Sequence, residues 1–189
     1  NDPPLERFAS WGKNVLKGDF GTSITYKQQV STVILERFKY SIVLMLVAWC
    51  FSGIVGFLIG VLAGIYKGSL FDKIIKIFCL ALQSAPTFWI GLLILSLFSV
   101  YLGWFPIGFA VPMGKLSLEI TIWDRIYHLI LPALTLSILG ISRVTLFTRQ
   151  KLIEILNSDF ILFAKARGEN TRQLVIRHGL RNIALPAIT

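Results

Sequence analysis

The polar chemistry of this chain is concentrated in residues 157–189, reading NSDFILFAKARGENTRQLVIRHGLRNIALPAIT. Phe160, Phe163 and Ala164 fall at helical spacing and continue a stripe begun by Leu152, Ile153 and Leu156, which predicts a surface helix with one apolar and one charged face. Gly168 stands where that helix stops, because glycine enters a left-handed cap without a Cβ penalty. Asn170, with Gln173 three residues on, has the form of a capping box. It predicts a second short helix over 171–181 bearing Arg172, Arg177 and Arg181, before Leu185-Pro186 leads into apolar residues. Such a helix, turn and basic helix suits docking to a soluble partner; composition alone equally describes a basic amphipathic helix lying on the membrane surface.

No catalytic or metal chemistry competes with that reading. His128 and His178 lie fifty residues apart without partners at ligand spacing, and Cys50 and Cys79 sit inside apolar runs as packing residues. No metal, cofactor or disulfide is expected. No phosphate-cradling Gly-x-x-x-x-Gly-Lys occurs, so any nucleotide would be handled by another chain.

Asp159-Phe160, Ala164-Lys165-Ala166-Arg167-Gly168, Arg177-His178, Asn182 and Leu185-Pro186 together resemble the cytoplasmic loop of the membrane subunits of ATP-binding-cassette importers, in the branch that moves di- and oligopeptides or nickel. Further matches run in order along the chain. They are Gly18-Asp19-x-Gly21-x-Ser23, Arg37, Ser84-Ala85-Pro86-Thr87-Phe88, Gly103-Trp104-Phe105-Pro106, Leu129-Ile130-Leu131-Pro132-Ala133 and Arg143. The general importer signature begins Glu-Ala-Ala, whereas this chain has Leu162, Phe163 and Ala164, so the Glu and first Ala are absent. The resemblance, to permease B of the dipeptide and oligopeptide systems, implies an all-α polytopic membrane protein with a type I importer helical bundle. It also implies a second permease subunit, two ATPase subunits and an external substrate-binding protein as partners, in a prokaryotic cytoplasmic membrane. On this basis Phe160, Phe163, Ala164, Arg167, Gly168, Glu169, Asn170, Thr171, Arg172, Gln173 and Leu174 are the expected ATPase-coupling residues. Phe160, Phe163 and Leu174 would give apolar contacts, and Arg167, Glu169, Arg172 and Gln173 polar ones.

Composition places these elements in a membrane. Hydrophobic residues make up 54% of the 189 and charged residues 15%, against roughly a quarter charged in a soluble domain. Mean hydropathy is +0.69. The net charge of +9 lies beside apolar spans and is not interleaved with aromatics on a polar domain, which points to lipid head groups and away from nucleic acid.

Three domains are expected: an external amphipathic segment 1–39, three transmembrane helices within 40–147, and a cytoplasmic coupling loop with the start of a further span in 148–189. Residues 40–66 carry no charge and form the first span, with 30–39 as a short helix entering it. Gly56, Gly60 and Gly64 recur every four residues and mark a helix-packing face. Residues 67–76 form a short basic loop, hence cytoplasmic. Residues 77–105 form a second span kinked at Ser84-Ala85-Pro86-Thr87. Gln83, Ser84, Pro86 and Thr87 there are the candidates for lining the pathway, equally readable as a purely structural kink.

Residues 104–128 read as an external loop of balanced charge, and 129–147 as the third span, with Arg143 snorkelling at its inner end. From Arg149 to Arg181 seven basic residues face three acidic ones, which puts 148–183 in the cytoplasm. With polar first residues, no initiator Met and an apolar end, the chain is expected to be a piece of a longer subunit with three of six helices. The rival reading is an ion- or proton-coupled carrier, disfavoured because no Asp or Glu lies in the three spans. A non-transporting scaffold and a channel are weaker still.

Overall fold

The computed structural model describes residues 3–108, 119–170, 173–180 and 182–183. Thr171, Arg172, Arg181 and Leu185-Pro186 of the expected loop therefore lie outside the described residues, as do Pro112, Gly114 and Lys115. The described chain is helical apart from one isolated antiparallel bridge, Thr22 to Gln29. It divides into two compact units, Asn1–Val43 and Leu44–Thr189.

In the first unit, α1 (Pro4–Leu16) begins with proline in its first turn, where a missing N–H costs nothing. It stops at Gly18, φ +85°, with the Gly18 and Asp19 amides donating back to Val15 and Asn14. Leu5, Phe8 and Trp11 of α1 are exposed. Asp19 Oδ1 then accepts from the Gly21 amide at 2.9 Å. The segment 18–23 is thus a set of tight turns, and Val30 starts α2 (Val30–Ile65). The expected entry helix 30–39 is continuous with the first span.

Among the described residues two helices are long and apolar enough to cross a membrane, α2 and α5 (Ile122–Leu156). At 1.5 Å per residue each runs about 50 Å, against roughly 30 Å of hydrocarbon. Their contact is the small-residue face expected of the glycines. A Cβ on Gly56 would lie 2.9 Å from the Ile141 carbonyl oxygen, and one on Gly60 2.7 Å from that of Thr145. One on Gly64 would lie 2.8 Å from Leu152 Cδ2. Close approach lets Thr145 Oγ1 donate to the Gly56 carbonyl at 3.2 Å. In a membrane, dispersion and such interhelical hydrogen bonds take the place of the hydrophobic drive.

The second span departs from expectation. In place of one kinked helix over 77–105, the chain forms α3 (Leu70–Ser84) and α4 (Thr87–Leu95), the latter continued by a π-helical turn Ser96–Tyr101. The two arms meet at 105° and count as one span at most. An ordinary proline kink is far gentler. Here both Ala85 and Pro86 are extended, because the ring of Pro86 pushes the preceding residue out of helical geometry and has no N–H to carry the ladder across.

The third helix is longer at both ends than 129–147. Thr121 and Asp124 form a reciprocal capping box that starts α5 inside the expected external loop. Tyr127 OH donates to the Trp104 carbonyl, tying the end of the broken span to the second turn of α5. Polar residues from Arg149 onward continue the helix to Leu156, so the 147/148 boundary falls within α5.

Candidate coupling loop and broken helix

Asn157 ends α5, and α6 (Asp159–Ala166) starts after Ser158, whose hydroxyl donates to the Ile155 carbonyl at 2.6 Å. This break resets the helical phase. The expected stripe from Leu152 through Phe163 is therefore not one face. Ile161 and Ala164 point inward and, with Leu174, pack against Ile155 and Leu156.

The turn after α6 matches its sequence signature in detail. Gly168 sits at φ +91°. Its amide donates to Lys165 O at 2.9 Å, and the Glu169 amide to Ala164 O at 3.3 Å. This paired arrangement is a Schellman cap, which satisfies carbonyls the helix end would leave bare. Asn170 and Gln173 then cap reciprocally: the Asn170 amide donates to Gln173 Oε1, and the Gln173 amide to Asn170 Oδ1, both at 2.9 Å. Gln173 leads into a π-helical segment, Leu174–Gly179, in place of a simple α-helix.

That segment folds back onto α5. Leu174, Val175, Gly179 and Ile183 are buried. A Cβ on Gly179 would come 2.9 Å from Leu152 Cδ1. Glu169 links the two limbs: its Oε2 lies 3.2 Å from His178 Nε2, its Oε1 3.6 Å from Arg167 Nη2, and the His178 ring meets Phe160 edge-on at 6.2 Å.

Ala164, 1% exposed, and Leu174, 2% exposed, lie in the chain's own core. They pack inside the loop and present no surface in this chain. Phe163 is 73% exposed, and Phe160, Arg167, Asn170 and Gln173 are also at the surface. Sequence reasoning missed Leu162 and Ile176, both exposed apolar residues of the same loop. The helical phase after Asn157 would have found Leu162, and the π-helical phase after Gln173 would have found Ile176. The face is aromatic, aliphatic and basic, and among the described residues no group of His, Cys, Asp or Glu is placed to hold a metal.

Gln83, Ser84, Pro86 and Thr87 come together at the 105° corner, all exposed. Ser84 Oγ donates to the Leu80 carbonyl at 2.9 Å, which satisfies a backbone acceptor next to the break.

The one strong electrostatic feature that sequence reasoning did not find joins α3 to α5. Arg149 grips Asp72 with two prongs, Nη2 to Oδ2 at 2.7 Å and Nε to Oδ1.

Residues 56–189 match the protein family described as binding-protein-dependent transport system inner membrane component. The chain belongs to that family. It is 38% identical, over its whole length, to the oligopeptide transport system permease protein AppB of Bacillus subtilis, covering 59% of that relative. It is 34% identical to the di/tripeptide transport system permease protein DppB of Pseudomonas aeruginosa and 32% to the glutathione transport system permease protein GsiC of Salmonella choleraesuis. It covers all of itself in both alignments, with 61% and 58% of the relatives. The chain thus spans about three-fifths of the length of these relatives. Family membership and two long apolar helices make it an all-α, multi-pass membrane protein.

Proposed function

We propose that this chain is part of the transmembrane permease subunit of an ATP-binding-cassette importer, and that residues 159–180 are its coupling element. The observation that carries the reading is the Schellman cap at Gly168 followed by the Asn170–Gln173 box. It makes a stiff, surface-exposed joint carrying Phe163, at the end of a helix long enough to span the membrane. A stiff joint transmits a push, where a flexible loop absorbs it.

In this account two ATPase subunits close on ATP beneath two permease subunits, and the loop follows as a rigid body. The displacement tips the spans between inward-open and outward-open states. An external binding protein delivers cargo. Gln83, Ser84, Pro86 and Thr87 line part of the route at the broken helix. The excess of basic residues favours the cytoplasmic side for 148–183 and for the α2–α3 turn, and the family resemblance, not charge, favours the outer side for 1–39. The relatives named above are called transporters of oligopeptides, of di- and tripeptides and of glutathione, itself a tripeptide, which favours short peptides over nickel as cargo.

The test is to purify the full-length subunit from its native membrane in mild detergent, identify co-purifying proteins by mass spectrometry, and assay ATP hydrolysis. A second permease and an ATPase are expected with the subunit. In a Gly168→Val variant, membrane insertion is expected to persist while ATP-driven uptake is lost. Recovery of the subunit alone, even after cross-linking, would favour an ion- or proton-coupled carrier.

A further inference from the structure

Asp72 and Arg149 are 77 positions apart in sequence, and their side chains are 4% and 18% exposed. The carboxylate is held from two directions. Oδ2 accepts from Arg149 Nη2 at 2.7 Å and from the Gly68 amide at 2.8 Å, while Oδ1 accepts from Arg149 Nε. The Asp72 amide in turn donates to Ser69 Oγ at 3.2 Å, the N-cap of α3. A two-pronged, charge-assisted contact fixes orientation as well as distance.

α3 packs along α5 through one face, on which Ile75 and Leu82 are half-buried between and beyond Asp72 and Cys79. Its only buried residues are Asp72 and Cys79, and Cys79 lies against Ser142 and Thr145 of α5. Leu70, Phe71, Ile74, Ile77 and Phe78 are exposed. The charged anchor sits at the end of α3 away from the corner. On α5 it lies two turns before Leu156, where the coupling loop begins.

We propose that the Asp72–Arg149 pair is a positioning device that carries movement of the coupling loop from the end of α5 into α3, and through it to the α3–α4 corner. This rests on the importer reading. Without the pair, the end of α5 moves with the ATPases while α3 keeps the neutral packing at Ile75, Cys79 and Leu82 and loses its oriented charged contact. Hydrolysis then continues, and the corner no longer follows it.

The experiment uses the full complex of this subunit with its second permease and ATPases. Cys50 is replaced by Ser, and spin labels are attached through cysteines at position 53 of α2 and position 93 of α4. An added Cβ at Gly53 meets nothing within 4 Å, and Leu93 is exposed. The label distance is measured without nucleotide and after trapping with ATP and vanadate, which needs no cargo. In the otherwise native complex the distance is expected to shift on trapping. Asp72→Asn is expected to keep most of the hydrolysis rate and lose at least half of that shift, and Arg149→Lys, which keeps the charge and loses the fork, to show a smaller loss.

The proposal is overturned if Asp72→Asn leaves the shift whole, or if the native pair hydrolyses ATP without any shift. It is also overturned if both variants lose hydrolysis and shift together, which marks a purely structural bond. A native complex without ATPase overturns the importer reading, and the proposal with it.

Discussion

Gly168 at φ +91° has nothing within 4 Å of the position a Cβ would take, so the demand for glycine there is conformational and not steric. A left-handed backbone costs an ordinary L-residue about 1–2 kcal/mol and an asparagine less. Gly168→Asn is therefore expected to retain uptake where Gly168→Val loses it. Phe163 and Leu174 separate surface from scaffold in the same loop. Leu174→Ala removes a fully buried side chain, and its cost in thermal unfolding of the complex is expected to be about 2–5 kcal/mol. Phe163→Ala, at an exposed position, is expected to leave stability within about 0.5 kcal/mol while weakening retention of the ATPase. Equal destabilisation by the two variants would mean that Phe163 is part of the core. At Asp72, the neighbours come from a turn four residues back and a helix 77 residues on. Nothing local in a sequence signals such a pairing.

Among the elements, the α2–α5 contact gives a sharp contrast on one helix. A Cβ at Gly60 would sit 2.7 Å from a backbone oxygen, which cannot swing aside, whereas Gly53 faces open space. Gly60→Ala is expected to cost about 1–3 kcal/mol of stability, as overpacking does, and Gly53→Ala almost nothing. Differential scanning fluorimetry of the purified complex checks both, and equal midpoints would refute the packing. This interface was legible because a four-residue glycine repeat is written along one helix. The Gly168 cap and the Asn170–Gln173 box were legible for the same reason, since every partner lies within six residues. Two things were not. The break at Asn157 and Ser158 rotates α6, so Phe163 and Ala164 do not share a face as the running periodicity suggested. The corner at Ala85 and Pro86 uses two extended residues in a row, and a proline within an apolar run announces a break without giving its angle.

For the whole molecule, the proposed function implies both a sidedness and a partner. Under the proposed function the basic turn between α2 and α3 and the loop after α5 are expected to face the cytoplasm, and the segment 1–39 is expected outside. On that reading the buried pair Asp72–Arg149 is cytoplasmic too, between the proposed coupling loop and the proposed pathway corner. The measurement that tests this most directly is photo-cross-linking in the native membrane from p-benzoylphenylalanine placed at position 163, with position 11 of α1 as the control. Both native residues are aromatic and exposed, so the probe is carried without disturbing a core. The expected result is an adduct with an ATPase subunit from position 163 and none from position 11. No ATPase adduct from position 163 in a complex that contains the ATPase, or an ATPase adduct from position 11, would contradict the account.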